Sequence, residues 1–405
     1  MAQLMNPEVA TREELAAKYS DPDTCPTDRL EPVALDQEPA FAAWQQDIPR
    51  EYLSMDGAEL DRRIKAAREH FGERLTVLGH HYQRDEVIVY ADYTGDSFKL
   101  ARQAADHSNA EYVLFCGVHF MAESADILTD PSVKVILPNM SAGCSMADMA
   151  DPDDVYECWD ILTEWLEDSA TVIPITYMNS AASLKAFVGE HDGIVCTSSN
   201  APKTFDYAFE RGDKILFFPD QHLGRNTGYE MGIPLDKMVT WNYRLPNGGL
   251  TREEVERAQV ILWQGHCSTH QRFTVPQIEQ AREEYPGINI IVHPECPWEV
   301  VQAADASGST EKIIKEVSEA PAGTTWGIGT EINLVNRLQQ EHPDKTIFCL
   351  DPVVCPCSTM YRIHPAYLAW VMDELMEGRV VNQVKVDEHT RKWSLVALER
   401  MLSLP

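Results

Sequence analysis

One pattern constrains this chain more than any other: four sequence blocks recur three times in the same order. The first blocks are TVLGHHYQ (76–83), VIPITYMNS (172–180) and INIIVHPEC (288–296). Each is an apolar, β-branched run that delivers polar side chains at its end: His80 and Tyr82, Tyr177 and Asn179, His293 and Glu295. The second blocks are YTGDSFKLA, CTSSNAPKT and ADASGSTEKI, each a cluster of Ser, Thr, Asp or Gly. The first and third lead into a helical pattern, and backbone N–H groups at such starts bind anions. The third blocks are VLFCGVHFMAES, ILFFPDQHLGRN and WGIGTEINLVNRL. The fourth are apolar runs that close on cysteine: VILPNMSAGCSM with Cys144, VILWQGHCSTH with Cys267, and IFCLDPVVCPCSTM with Cys357.

A repeat must be read before a fold is assigned, because it fixes the architecture. Strand-like runs alternating with helical stretches predict parallel βα units with helices on both sheet faces. Binding sites in open parallel sheets form beyond the carboxyl ends of the strands. The polar residues named above all stand at such ends. Triplication therefore brings three thiolates to one place.

Three thiolates without a fourth suit a metal cluster with one open coordination position, which predicts an enzyme. Structural zinc sites instead draw on close CxxC pairs. Here the cysteines are far apart, and the one close pair is Cys355 and Cys357. Either of that pair suits the third ligand position on the residues alone. His270, in CSTH, is a ligand, a general acid or a substrate contact. His293 and Glu295, two apart at a strand end, point to the same side, which suits proton transfer. Tyr82 and Tyr177 occupy the same block in two repeats.

Length and punctuation divide the chain. At 405 residues it exceeds one hydrophobic core, since cores stop growing at roughly 250–300 residues. The blocks predict an N-terminal extension over 1–58, repeats over 59–150, 151–272 and 273–363, and C-terminal helices over 364–405. The second repeat carries an inserted stretch, TGYEMGIPLDKMVTWNYRLPNGG, read equally as a loop over the site or as a surface decoration. With 64 acidic residues against 34 basic ones, the net charge is −30. That excess argues against nucleic acid or an anionic membrane as partner. It reads as a solvated acidic surface of the kind high salt favours. The N-terminal stretch MAQLMNPEVATREEL lacks a signal-peptide pattern and no apolar run is long enough for a membrane span, so a cytoplasmic location is expected. Ten cysteines in such a chain read as ligands, redox groups or buried apolar residues rather than disulfides.

Taken together, GHHYQ, the ADYTGDS run, GVHFMAESA, AGCSM, TYMNS, CTSSNA, PDQHLG, GHCSTH, HPEC, ASGST, GTE and CSTM resemble quinolinate synthase, over about 76–363. The resemblance implies an α/β fold of three pseudo-threefold-related αβα (Rossmann-like) domains with parallel sheets around a central 4Fe–4S cluster. It implies condensation of iminoaspartate with dihydroxyacetone phosphate to quinolinate, phosphate and water, a step of de novo NAD biosynthesis. An aspartate-oxidising enzyme would supply the iminoaspartate. The implied cluster ligands are Cys144, Cys267 and Cys357. The implied substrate contacts are His80, Tyr82, Ser97, Tyr177, Asn179, Ser198, His270 and Thr310, with His293 and Glu295 also moving protons. The catalytic set expected from residues and resemblance is Glu295, His293, Tyr177 and Tyr82, with the open iron as Lewis acid in dehydration.

Overall fold

The computed structural model describes residues 48–106, 110–166, 169–353 and 356–404. The expected extension lies outside the described residues up to position 47, as does Cys355.

The first repeat supplies β1 (Leu75–His80), β2 (Tyr93–Gly95), β3 (Tyr112–Cys116) and β4 (Lys134–Ile136). The second supplies β5 (Val172–Tyr177), β6 (Ile194–Cys196), β7 (Lys214–Phe218), β8 (Met238–Trp241) and β9 (Val260–Trp263). The third supplies β10 (Asn289–Val292), β11 (Ala306–Ser307), β12 (Thr325–Gly329) and β13 (Thr346–Cys349). Three sheets result, ordered β2-β1-β3-β4, β6-β5-β7-β9 and β11-β10-β12-β13, all parallel, with helices between the strands. The protein is thus α/β with a repeated αβα layout.

The strand order is the same three times, and so is its consequence. Each chain segment leaves its first strand in one direction and its third in the other. The crevice between them, at the strands' carboxyl ends, is where such sheets bind ligands. β1, β5 and β7 are buried along their whole length. That is why their sequences are continuous apolar runs rather than alternations.

Two sheets are extended beyond the shared plan. The inserted stretch adds β8 as a parallel edge strand beside β9, and none of its residues lines the cavity at the strands' carboxyl ends. Trp241 at its end is buried, and Gly248, with φ of +64°, lets the following turn lie against the indole. The tail contributes β14 (Gln383–Val384), antiparallel to β4, a strand absent from the expected all-helical tail.

The expected helix after 58 runs Gly57–Phe71, capped by Asp56, whose carboxylate accepts the Glu59 N–H. Leu60, Ile64, Ala67 and Phe71 recur at helical spacing and are buried. This helix packs on Pro365–Met376, and Asp373 there takes hydrogen bonds from Tyr52 and Arg63 at 2.9 and 2.7 Å. The last helix, Glu388–Leu402, lies on Ala182–Glu190 of the second repeat. The tail therefore fastens to the first and second repeats at once. The second block of the second repeat also leads into a helix, Ala201–Phe209, which its turn-like sequence concealed. Pro202 sits in its first turn, where a missing N–H costs nothing.

Candidate active site

All the polar strand-end residues expected from the sequence line one cavity, together with the three cysteines. Each first strand ends in the same local device. His80 Nδ1 accepts the N–H of Tyr82 at 3.1 Å, and His293 Nδ1 accepts that of Glu295 at 3.3 Å. The ring nitrogen that accepts carries no proton, so each neutral imidazole bears its hydrogen on Nε2. Burial pushes His80 well below the usual imidazole range, helped by the neighbouring charges of His81 and Arg337. Burial, with His270 beside it, takes His293 down to about 3.

Glu295 stands at the centre and is 3% exposed. Its Oε1 accepts from the Tyr177 hydroxyl at 2.6 Å, and its Oε2 lies 2.8 Å from His270 Nδ1. Burial opposes its ionisation, yet the His270 ring and the Tyr177 hydroxyl, both hydrogen-bonded to the carboxylate, outweigh that and hold the carboxyl well below its ordinary range. On the far side, His270 Nε2 lies 3.1 Å from Thr330 Oγ1, which lies 2.9 Å from the Tyr82 hydroxyl. With His270 donating from Nδ1, the network has one consistent direction: Tyr82 to Thr330, Thr330 to His270, His270 to Glu295. The His270 and His293 rings stack at 4.4 Å between centroids.

The cysteines repeat one turn three times. Cys144, Cys267 and Cys357 each precede by three residues a 3-10 helix: Ala147–Met149, His270–Arg272 and Met360–Arg362. The carbonyl of each cysteine accepts from the N–H four residues on, in Asp148, Gln271 and Tyr361, at 3.0, 2.9 and 2.9 Å. Each thiol faces the N–H of Ala147, His270 or Met360, which favours the thiolate. Burial nevertheless pushes Cys144 up to about 12, and Cys267 and Cys357 also rise. Cys357 raises both of the others, so the thiols are close enough to resist ionising together. A cationic group held by all three relieves that repulsion, so the donor set fits a thiolate-bound metal centre. Glu331 braces one cysteine turn by accepting the Cys357 N–H at 3.2 Å. Cys267, His270 and Glu295 also place donor atoms within 4.8 Å of one another.

The hydroxyls of Ser97 and Thr310 stand at the first positions of the helices Ser97–Asp106 and Thr310–Glu319. Ser198 lies in the turn before Ala201–Phe209. All three line the cavity, as does Asn179, whose buried Oδ1 has no partner within the protein. Thr330 and Asp96 were missed by sequence reading. Asp96 lines the cavity and takes the Lys99 N–H at 2.9 Å. The signal for Thr330 was its place at the end of the third strand of its repeat, equivalent to the polar ends of the first strands.

Proton-carrying and soft-donor groups gathered at the carboxyl ends of parallel strands define an α/β enzyme with a metal-ligating site. A model of the quinolinate synthetase A protein family matches residues 62–403, and the chain belongs to that family. The quinolinate synthase of Corynebacterium glutamicum is 59% identical over 91% of this chain and 93% of its own length. That of Streptomyces coelicolor is 54% identical over 89% of this chain and 92% of its own. That of Acidobacterium capsulatum is 51% identical over 96% of this chain and 99% of its own. No helix among the described residues is long and apolar enough to cross a membrane.

Proposed function

We propose that this enzyme condenses iminoaspartate with dihydroxyacetone phosphate to quinolinate, phosphate and water, on the path to NAD. The observation that carries the reading is the meeting of three identical cysteine turns with the Tyr177–Glu295–His270 network in one cavity. Cys144, Cys267 and Cys357 would hold a 4Fe–4S cluster, whose open iron supplies Lewis acidity for dehydration.

The chain's own residues do the rest. Ser97, Ser198 and Thr310, at helix starts and turns, receive carboxylate and phosphate oxygens. Asn179 and Tyr177 orient the two substrates so that carbon–carbon bond formation becomes effectively unimolecular. The Nε2–H groups of His80 and His293 donate to substrate oxygens. Glu295 accepts the proton released in enolisation and returns it during imine formation. Its low pKa makes it a weak base while His270 is bonded to it. Substrate that parts the two raises its basicity as the proton must be taken. Iminoaspartate is supplied by an enzyme that oxidises aspartate.

Purification without oxygen, quantification of iron and sulfide, and assay of quinolinate from dihydroxyacetone phosphate and freshly generated iminoaspartate test the reading. Roughly four irons per chain with quinolinate formed is the expected result. A full complement of iron and sulfide without quinolinate overturns it.

A further inference from the structure

We propose that the helix after the third strand of each repeat positions the active-site loop of the next repeat, and that Asn226 does this for Glu295. The inference rests on the function proposed above.

The three helices are His119–Leu128, Gln221–Glu230 and Ile332–Glu341. Ser124, Asn226 and Arg337 stand the same distance past the caps Val118, Asp220 and Glu331. Asn226 and Arg337 hydrogen-bond to the polar turn that ends the first strand of the following repeat, and Ser124 packs against it. Ser124 Oγ donates to the Phe120 carbonyl of its own helix at 2.8 Å and only touches Met178 Sδ, at 3.6 Å, while the adjacent Glu123 accepts the N–H of Ala182, the first residue of the following helix, at 3.0 Å. Asn226 Nδ2 donates to the carbonyls of Pro294 and Cys296 at 2.8 and 2.9 Å. Arg337 donates to the carbonyls of Gln83, at 2.8 Å, and His81, while Asn333 Nδ2 donates to that of Tyr82 at 3.3 Å. The first repeat clasps the second, the second the third, and the third the first. The clasp onto turn carbonyls recurs at equivalent positions in the second and third repeats, and Glu123 makes the corresponding link from the first.

Asn226 is the sharpest case. It is 6% exposed, and its Oδ1 is buried without a partner. A buried carbonyl left unpaired costs stability, so packing alone favours a leucine of similar size here. The amide is explained by its two donors. They fix the Pro294–Glu295 peptide and the Cys296–Pro297 peptide, which bracket Glu295 and Cys296, and with them the direction in which the carboxylate meets Tyr177 and His270. A misplacement of about 1 Å in such a group is worth about 100-fold in rate.

The test uses the cluster-loaded enzyme carrying Asn226→Leu and, separately, Asn226→Asp, which keeps the size but sets an acceptor against the two carbonyls. Turnover, the KM for dihydroxyacetone phosphate, iron content, thermal midpoint and amide exchange over 293–297 are read together. The expected result is kcat lower by about 10-fold or more with KM changed far less. Iron content should stay near the wild type and the midpoint should fall only modestly, as two carbonyls lose their donor, with faster exchange confined to that loop. Turnover close to the wild type in both variants overturns the proposal. So does a loss of turnover matched by loss of iron or a collapsed midpoint, which makes Asn226 a structural residue only. A wild type that makes no quinolinate fails the function itself, and the exchange experiment then decides the clasp alone.

Discussion

Glu295 is the residue on which the proposed chemistry turns, and it is ionised in a place where burial alone would keep it neutral. Gln in its place retains the shape and the contact with Tyr177 but cannot take a proton. Glu295→Gln with iron content unchanged should lower turnover by roughly 10²–10⁴-fold, the usual worth of a general acid–base. Steady-state kinetics checks this, and near-normal turnover removes Glu295 from the mechanism. Burial also pushes His222 down to about 4 from its ordinary 6.5, although Gln271 bonds its Nε2 at 2.6 Å. Between those values the unfolded chain takes up a proton that the native state refuses. Stability is therefore lost as pH falls from about 6.5 toward 4, by up to about 3 kcal/mol for this residue. His222→Gln should flatten the difference between urea-unfolding free energies at pH 7 and pH 5. An unchanged difference would show that the acid sensitivity lies elsewhere, since His80 and His293 shift in the same direction.

Among the elements, the closest helix pairing is that of Ala182–Glu190 with the tail helix Glu388–Leu402. A side chain at Gly189 would place Cβ 2.1 Å from the Trp393 carbonyl oxygen, so only glycine permits this approach. Ser394 Oγ donates to the Ala182 carbonyl at 2.8 Å, and Arg400 to those of Gly189 and Gly193 at 3.2 and 2.8 Å. Gly189→Ala forces the two backbones apart and should cost about 3 kcal/mol, read as a lower midpoint in urea unfolding and earlier proteolysis of the tail. The same scale shows where sequence reading reached and stopped. The core strands were legible because strands buried on both faces are continuous apolar runs, as in VLFC and ILFF. β8 was not, because Met238, Val239 and Thr240 are half-buried at a sheet edge and carry no such run. β14 was not, because its two residues form a strand only by pairing with β4.

For the molecule as a whole, the proposed ligand set exists only in the assembled chain, since each repeat contributes one cysteine. Cys144→Ala, Cys267→Ala and Cys357→Ala should each lose most of the iron while circular dichroism stays that of the wild type. Cys349, bonded to the Thr330 carbonyl at 3.7 Å and outside the cavity lining, offers a contrast. Cys349→Ala and Cys355→Ala should keep their iron. Loss of iron in Cys355→Ala with retention in Cys357→Ala would exchange the third ligand. The repeated turn after Cys357, which matches those after Cys144 and Cys267, favours the first outcome.

By itself the sequence determined the strand-end pairs His80–Tyr82, Tyr177–Asn179 and His293–Glu295, the three cysteines and the α/β repeat. Those features are local: apolar runs, their polar ends, and an order of blocks. Only the tertiary structure decided that Glu295 is shared by Tyr177 from another repeat and by His270, and that Thr330 joins His270 to Tyr82. It also decided that Asn226 holds the loop of a neighbouring repeat. The reason is physical. A side chain's ionisation and direction depend on which groups share its buried surroundings, and those groups are brought together by docking of the sheets rather than by proximity along the chain.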